Sequence, residues 1–113
     1  MNWIKAIRTD EIENNEGIGM ANVAGRPVAF FAVEGQYYAT SDKCTHGRAS
    51  LSQGYLEGPL IECPLHQGRF DVRTGAAVGL PCKVNLRTFP VQVAEGFVYL
   101  KIEEEDDHVT SSE

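Results

Sequence analysis

Pro27-Val28-Ala29-Phe30-Phe31-Ala32-Val33-Glu34-Gly35-Gln36-Tyr37-Tyr38-Ala39-Thr40 reads as two β-strands joined by a tight turn. Both runs are rich in β-branched and aromatic residues, which suit a pleated surface. Glu34-Gly35 leaves room for a two-residue hairpin loop, and glycine supplies the positive φ that such loops need. The pattern returns near the other end, where Val91-Gln92-Val93 and Phe97-Val98-Tyr99-Leu100-Lys101-Ile102 flank Glu95-Gly96. There Val91, Val93, Val98 and Leu100 alternate with other residues, as in half-buried strands. Two further Glu-Gly steps, Glu16-Gly17 and Glu57-Gly58, read as turns. Eleven Gly and five Pro break every stretch that could carry helical periodicity, apart from one possible turn between Thr9 and Asn14. The expected class is all-β, a sandwich or small barrel of short antiparallel strands.

A chain of 113 residues is long enough for one core and short for two. Apolar residues make up 42% and charged residues 23%, a globular balance. No apolar run approaches the ~18 residues of a membrane-spanning helix. The N-terminal stretch has no apolar segment of signal-peptide length, so a cytoplasmic location is expected. The net charge of −6 divides unevenly. Residues 1–102 carry ten acids and ten bases, whereas 103–113 carry six acids and no Lys or Arg. A neutral body with an acidic end argues against nucleic-acid binding, which needs basic surface for the phosphates. One domain is expected over 1–102, with 103–113 as a disordered, solvated tail.

The middle of the chain, 41–83, differs in composition. It holds all three Cys, two of the three His and most of the Gly. It reads as loops projected from the β framework rather than as more framework. Two short motifs stand out: Cys44-Thr45-His46-Gly47 and Cys63-Pro64-Leu65-His66-Gln67-Gly68. Sixteen residues separate His46 from Cys63. Grouped Cys and His in a cytoplasmic chain suggest metal binding sooner than a disulfide framework. Structural zinc would take two Cys and two His, but its usual spacing sets Cys with Cys and His with His. Here each loop is mixed. A two-iron centre with two thiolates on one iron and two imidazoles on the other is matched directly by two mixed loops meeting face to face.

These motifs closely resemble the Rieske ferredoxin family. The likeness runs on through Gly68-Arg69-Phe70-Asp71-Val72-Arg73-Thr74-Gly75 and a loop at Pro81 that covers the cluster in that family. The resemblance implies a Rieske-type antiparallel β-sandwich or barrel with a small cluster-binding subdomain of two ligand loops within about 41–83. It implies one [2Fe–2S] cluster, with Cys44 and Cys63 on the inner iron and His46 and His66 on the outer iron. The nearest likeness is to the ferredoxin component of multicomponent aromatic-ring-hydroxylating dioxygenases. Such a carrier takes electrons from an NADH-dependent flavoprotein reductase and delivers them to the terminal oxygenase. It catalyses no substrate reaction itself. Docking would centre on His46 and His66 with apolar neighbours such as Leu65 and Pro81, and a monomer is expected.

Departures from the high-potential members of the family are informative. Ala49 and Leu65 stand where those proteins carry a bracing disulfide, and Gly68 and Phe70 where they carry Ser and Tyr hydroxyls aimed at the cluster. Each hydroxyl donor favours the reduced form, so a low potential is expected. Cys82 reads as a small apolar residue near the cluster, and His108 as a solvated tail residue. A catalytic oxygenase subunit would need a further site of two His and a carboxylate. Only His108 remains to build it. A Rieske-like small subunit of another redox enzyme, such as assimilatory nitrite reductase, is the alternative reading.

Overall fold

The computed structural model describes residues 3–44, 49–65, 68–79 and 84–102. Their antiparallel strands form three sheets. The first contains β1 (Ile4–Arg8), β10 (Val91–Ala94) and β11 (Phe97–Leu100), in the order β1-β11-β10. The central sheet contains β2 (Ile18–Val23), β3 (Arg26–Val33), β4 (Gln36–Ser41) and β9 (Thr88–Phe89), in chain order. The outer sheet contains β5 (Tyr55–Glu57), β6 (Leu60–Glu62), β7 (Arg69–Asp71) and β8 (Ala77–Gly79). One helical turn, α1 (Thr9–Glu13), follows β1, and a 3₁₀ turn spans Leu51–Gln53. The class is all-β, as expected.

The hairpin that sets the fold is β3–β4, in register from Val33↔Gln36 to Val28↔Ser41. Its turn residues have φ of 52° at Glu34 and 81° at Gly35. Positive φ at both central positions is the type I′ signature, whose twist matches that of the strands. Glu95-Gly96 repeats the geometry between β10 and β11. So does Ala24-Gly25 between β2 and β3, a turn without the Glu-Gly signal. At Glu57-Gly58 the loop is shifted by one residue: Glu57 ends β5, and Gly58-Pro59 makes the turn.

Strand β3 is buried on both faces and divides two cores. Val28 and Phe30 face Ile7, Ile12, Val98 and Leu100 of the body. Ala29, Phe31 and Val33 face the other core, with Leu51, Ile61, Phe70, Cys44 and Cys63. Alternation along one strand thus serves two cores at once.

Two expectations need correction. The middle of the chain is more than loops, since β5 to β8 form a sheet of their own. Each of β5, β6 and β7 has three residues, with its middle side chain turned toward the core and paired as Leu56↔Ile61 and Ile61↔Phe70. The expected alternation holds on β11, where Val98 and Leu100 are fully buried, but not on β10, where Val93 is 47% exposed. Strand β10 lies at the edge of its sheet, so Val93 has a strand neighbour, Val98, on one side only.

Helix α1 is tied to β4 by Tyr37, whose Oη–H donates to Glu13 Oε2. Burial, and then the hydrogen bond and charge of Glu13, push the Tyr37 phenol up to about 12. Folding therefore favours the neutral phenol. This contribution is whole below the ordinary tyrosine value of about 10. It is lost as pH rises toward about 12. Tyr37→Phe is expected to flatten the decline in unfolding free energy across that window. Urea titrations at several alkaline pH values measure it, and an unchanged slope would remove Tyr37 as its source.

Candidate metal centre

Cys44 and Cys63 are thiols in the same core, 2% and 0% exposed. Their loops are closed in the same way. Cys44 N–H donates to Ala49 O at 3.0 Å, and Cys63 N–H donates to Gly68 O at 2.8 Å. In each case the acceptor lies five residues along the chain. The two cysteines therefore occupy equivalent positions, at the base of loops 44–49 and 63–68. His46 and His66 lie outside the described residues, as do Pro81, Cys82 and His108.

The first loop is braced by Asp42, a buried carboxylate two residues before Cys44. Its Oδ1 accepts the Ser52 N–H at 2.8 Å, and its Oδ2 accepts the Ser50 hydroxyl. Its own N–H donates to Pro27 O at 3.0 Å, and its carbonyl accepts Leu51 N–H at 2.7 Å. A bridge between Lys43 and Ser50 completes the neck. Each oxygen of the buried carboxylate accepts a hydrogen bond, so its desolvation is offset. Sequence reading missed Asp42. The one visible signal is an acid just before Cys44 with Ser50 and Ser52 just after the loop.

The second loop springs from the β6–β7 hairpin. Glu62 and Arg69 are cross-strand partners at its neck and form an exposed ion pair at 3.7 Å. The backbone that follows the first loop lies against the base of the second at Gly54. A Cβ there would sit 2.0 Å from Glu62 O, next to Cys63, so no side chain fits without parting the backbones. A third segment is pinned to the same sheet. Leu86 N–H donates to Gly75 O at 2.7 Å, and Ala77 N–H donates to Asn85 Oδ1 at 3.0 Å.

Ala49 is buried, while Leu65 is 65% exposed. Phe70 is fully buried in the thiol core, and the Gly68 carbonyl is spent on Cys63 N–H. Val78 and Val84 are exposed beside the segment 80–83. Leu65, Val78 and Val84 thus put apolar surface on or beside the loops and the segment 80–83.

The model of the Rieske [2Fe–2S] domain matches residues 2–90. The chain is 48% identical over 102 residues to the ferredoxin component of the naphthalene 1,2-dioxygenase/salicylate 5-hydroxylase systems of Ralstonia sp., covering 90% of this chain and 97% of that one. It is 50% identical over 91 residues to the ferredoxin component of the naphthalene 1,2-dioxygenase system of Pseudomonas putida, covering 80% and 86%. Among solved structures it is similar to a chain of the complex of reduced oxygenase and oxidized ferredoxin in carbazole 1,9a-dioxygenase, at 44% identity and a TM-score of 0.79 over 89% of this chain and 97% of that one. The ferredoxin of carbazole 1,9a-dioxygenase from Nocardioides aromaticivorans IC177 superposes with a TM-score of 0.84 at 31% identity, over 91% of this chain and all of its own. A domain match over most of the chain, and relatives covered almost end to end, show that this chain belongs to the Rieske [2Fe–2S] domain family.

Proposed function

We propose that this chain is a cytoplasmic one-electron carrier serving the terminal oxygenase of an aromatic-ring-hydroxylating dioxygenase system. Its electrons would come from an NADH-dependent flavoprotein reductase. The observation that carries the reading is the matched anchoring of Cys44 and Cys63 at the bases of two loops over one core. Two thiols held equivalently, buried from water, fit the thiolate half of a Rieske centre. By sequence spacing, His46 and His66 would supply the imidazole half. When bound, a cluster of this type takes up and returns single electrons. The protein's part is to keep both sulfurs in place in either state, which Asp42 and the two loop-closing hydrogen bonds support. Exposed Leu65, with Val78 and Val84, favours docking by an apolar face around His46 and His66. Contacts of this kind suit a transient partner.

The test joins spectroscopy to turnover. Iron and acid-labile sulfide should be two each per chain, and the dithionite-reduced protein should give an EPR signal of mixed His/Cys ligation. Addition of an NADH-driven reductase and an aromatic-ring oxygenase should restore product formation. A colourless chain carrying zinc would overturn the reading.

The potential should lie toward the low end of the Rieske range, near about −150 mV. No hydroxyl is present at Gly68 or Phe70 to favour the reduced state. The double variant Gly68→Ser, Phe70→Tyr is expected to raise it. A donor that prefers the reduced state by about 1.4 kcal/mol shifts a one-electron couple by about 59 mV. Protein-film voltammetry reads the shift, and an unmoved potential in a folded, loaded variant would overturn this account of its low value.

A further inference from the structure

We propose that the buried carboxylate of Asp42 holds down the reduction potential of the cluster bound at Cys44. The inference rests on the proposed function, which puts Cys44 in the ligand set.

Among the described residues, Asp42 is the one charged side chain that is buried, at 3% exposure. It stands two residues before Cys44. Two residues of chain span at most about 7 Å, so their backbones stay close whatever the conformation. Its donors, the Ser52 N–H and the Ser50 hydroxyl, are both neutral. They orient the carboxylate without cancelling its charge. Lys43 lies between Asp42 and Cys44 in the chain but is exposed, so water and salt screen its field. A buried charge is screened much less.

The sign of the effect follows from charge alone. Reduction adds one negative charge to the site, and a fixed carboxylate nearby repels it. The repulsion disfavours the reduced state and lowers the potential. Through bulk water it would be about fourfold weaker than at the effective dielectric of about 20 that suits protein sites, so burial is what makes Asp42 count. The contribution is separate from the missing hydroxyls at Gly68 and Phe70, which belong to the second loop and β7.

The hydrogen bonds around Asp42 allow its charge to be separated from its bracing role. Asp42→Asn removes the charge and retains both contacts, because the amide carbonyl accepts the Ser52 N–H and the amide N–H donates to the Ser50 oxygen. Ser50→Ala keeps the charge and removes one contact. Protein-film voltammetry of the loaded chains reads the potential, and iron transfer to a chelator reads cluster retention. Asp42→Asn should keep two irons and two sulfides. It should raise the ratio of reduced to oxidised cluster about tenfold at a fixed applied potential, which is about 59 mV for a one-electron couple. The rise should persist at about 0.5 M salt, where the Debye length is roughly 4 Å. Ser50→Ala should release iron faster without raising the potential. Asp42→Ser, also neutral, gives the same reading if Asp42→Asn does not load. An unmoved or lowered potential in a loaded neutral variant overturns the proposal. So does a rise that disappears in high salt, or an equal rise in Ser50→Ala. Failure of both neutral variants to hold iron overturns it too, because the carboxylate then serves the brace alone. Absence of two irons and two sulfides from the unsubstituted chain is a different failure, since it removes the proposed function and this inference with it.

Discussion

Replacing Cys63 by Ser is expected to reduce bound iron from two atoms per chain to near zero. The site offers that position one buried thiol and no alternative soft donor on the same loop. A serine hydroxyl is a harder ligand and loses its proton far less readily than a thiol, so it holds iron poorly in competition with sulfide and water. Cys44→Ser should fail to the same degree, because both cysteines are held by the same hydrogen bond to the carbonyl five residues on. Iron and sulfide analysis, with far-UV circular dichroism as the control for folding, checks both. Retention of two irons and two sulfides by folded Cys63→Ser would remove Cys63 from the ligand set and with it the proposed function.

Phe31→Ala should remove about 3–5 kcal/mol of stability, as buried Phe truncations do. Total stability for a domain of this size is about 5–15 kcal/mol, so a large part is at stake. The melting temperature should fall by more than about 10 °C. Phe30→Ala should cost about as much, since both rings are fully buried. What separates them is the core they fill. Phe31 packs in the core that contains Cys44 and Cys63, and Phe30 in the body core. Iron transfer to a chelator, at a temperature where both variants are folded, should therefore be faster for Phe31→Ala. Equal rates would mean that the core beneath the thiols does not set cluster retention.

Much of the architecture was legible because hairpins are written locally. Glu34-Gly35 and Glu95-Gly96 announce positive φ in adjacent residues, and that requirement belongs to the turn itself. Ala24-Gly25 makes the same turn, with Ala24 at nearly the same positive φ as Glu34 and Glu95, but it lacks the recurring Glu-Gly step that singles out the other two in the sequence. The outer sheet was hidden for another reason. Three-residue strands such as Leu60-Ile61-Glu62 are too short for a period of two to declare itself. Their pairing depends on Phe70 and Ile61 meeting in the core, not on any local preference. Val93 errs in the opposite direction. Its alternation is real, yet burial also needs neighbours on both sides, and β10 is an edge.

The proposed donor chemistry is likewise written in the residues: two Cys-His motifs in mixed order offer two thiols and two imidazoles whatever surrounds them. Their spacing along the chain says nothing of how two loops nearly twenty residues apart come to share one core. That depends on Asp42 reaching Ser50 and Ser52 across the first neck, and on Gly54 lying against the Glu62 carbonyl. It depends also on the core that Phe31 shares with both thiols. The capacity to donate to a metal is a property of single side chains, so it survives in a linear string. Equivalent placement of the sulfurs exists only after distant segments pack. Long-range hydrogen bonds and shared burial have no period from which to read them.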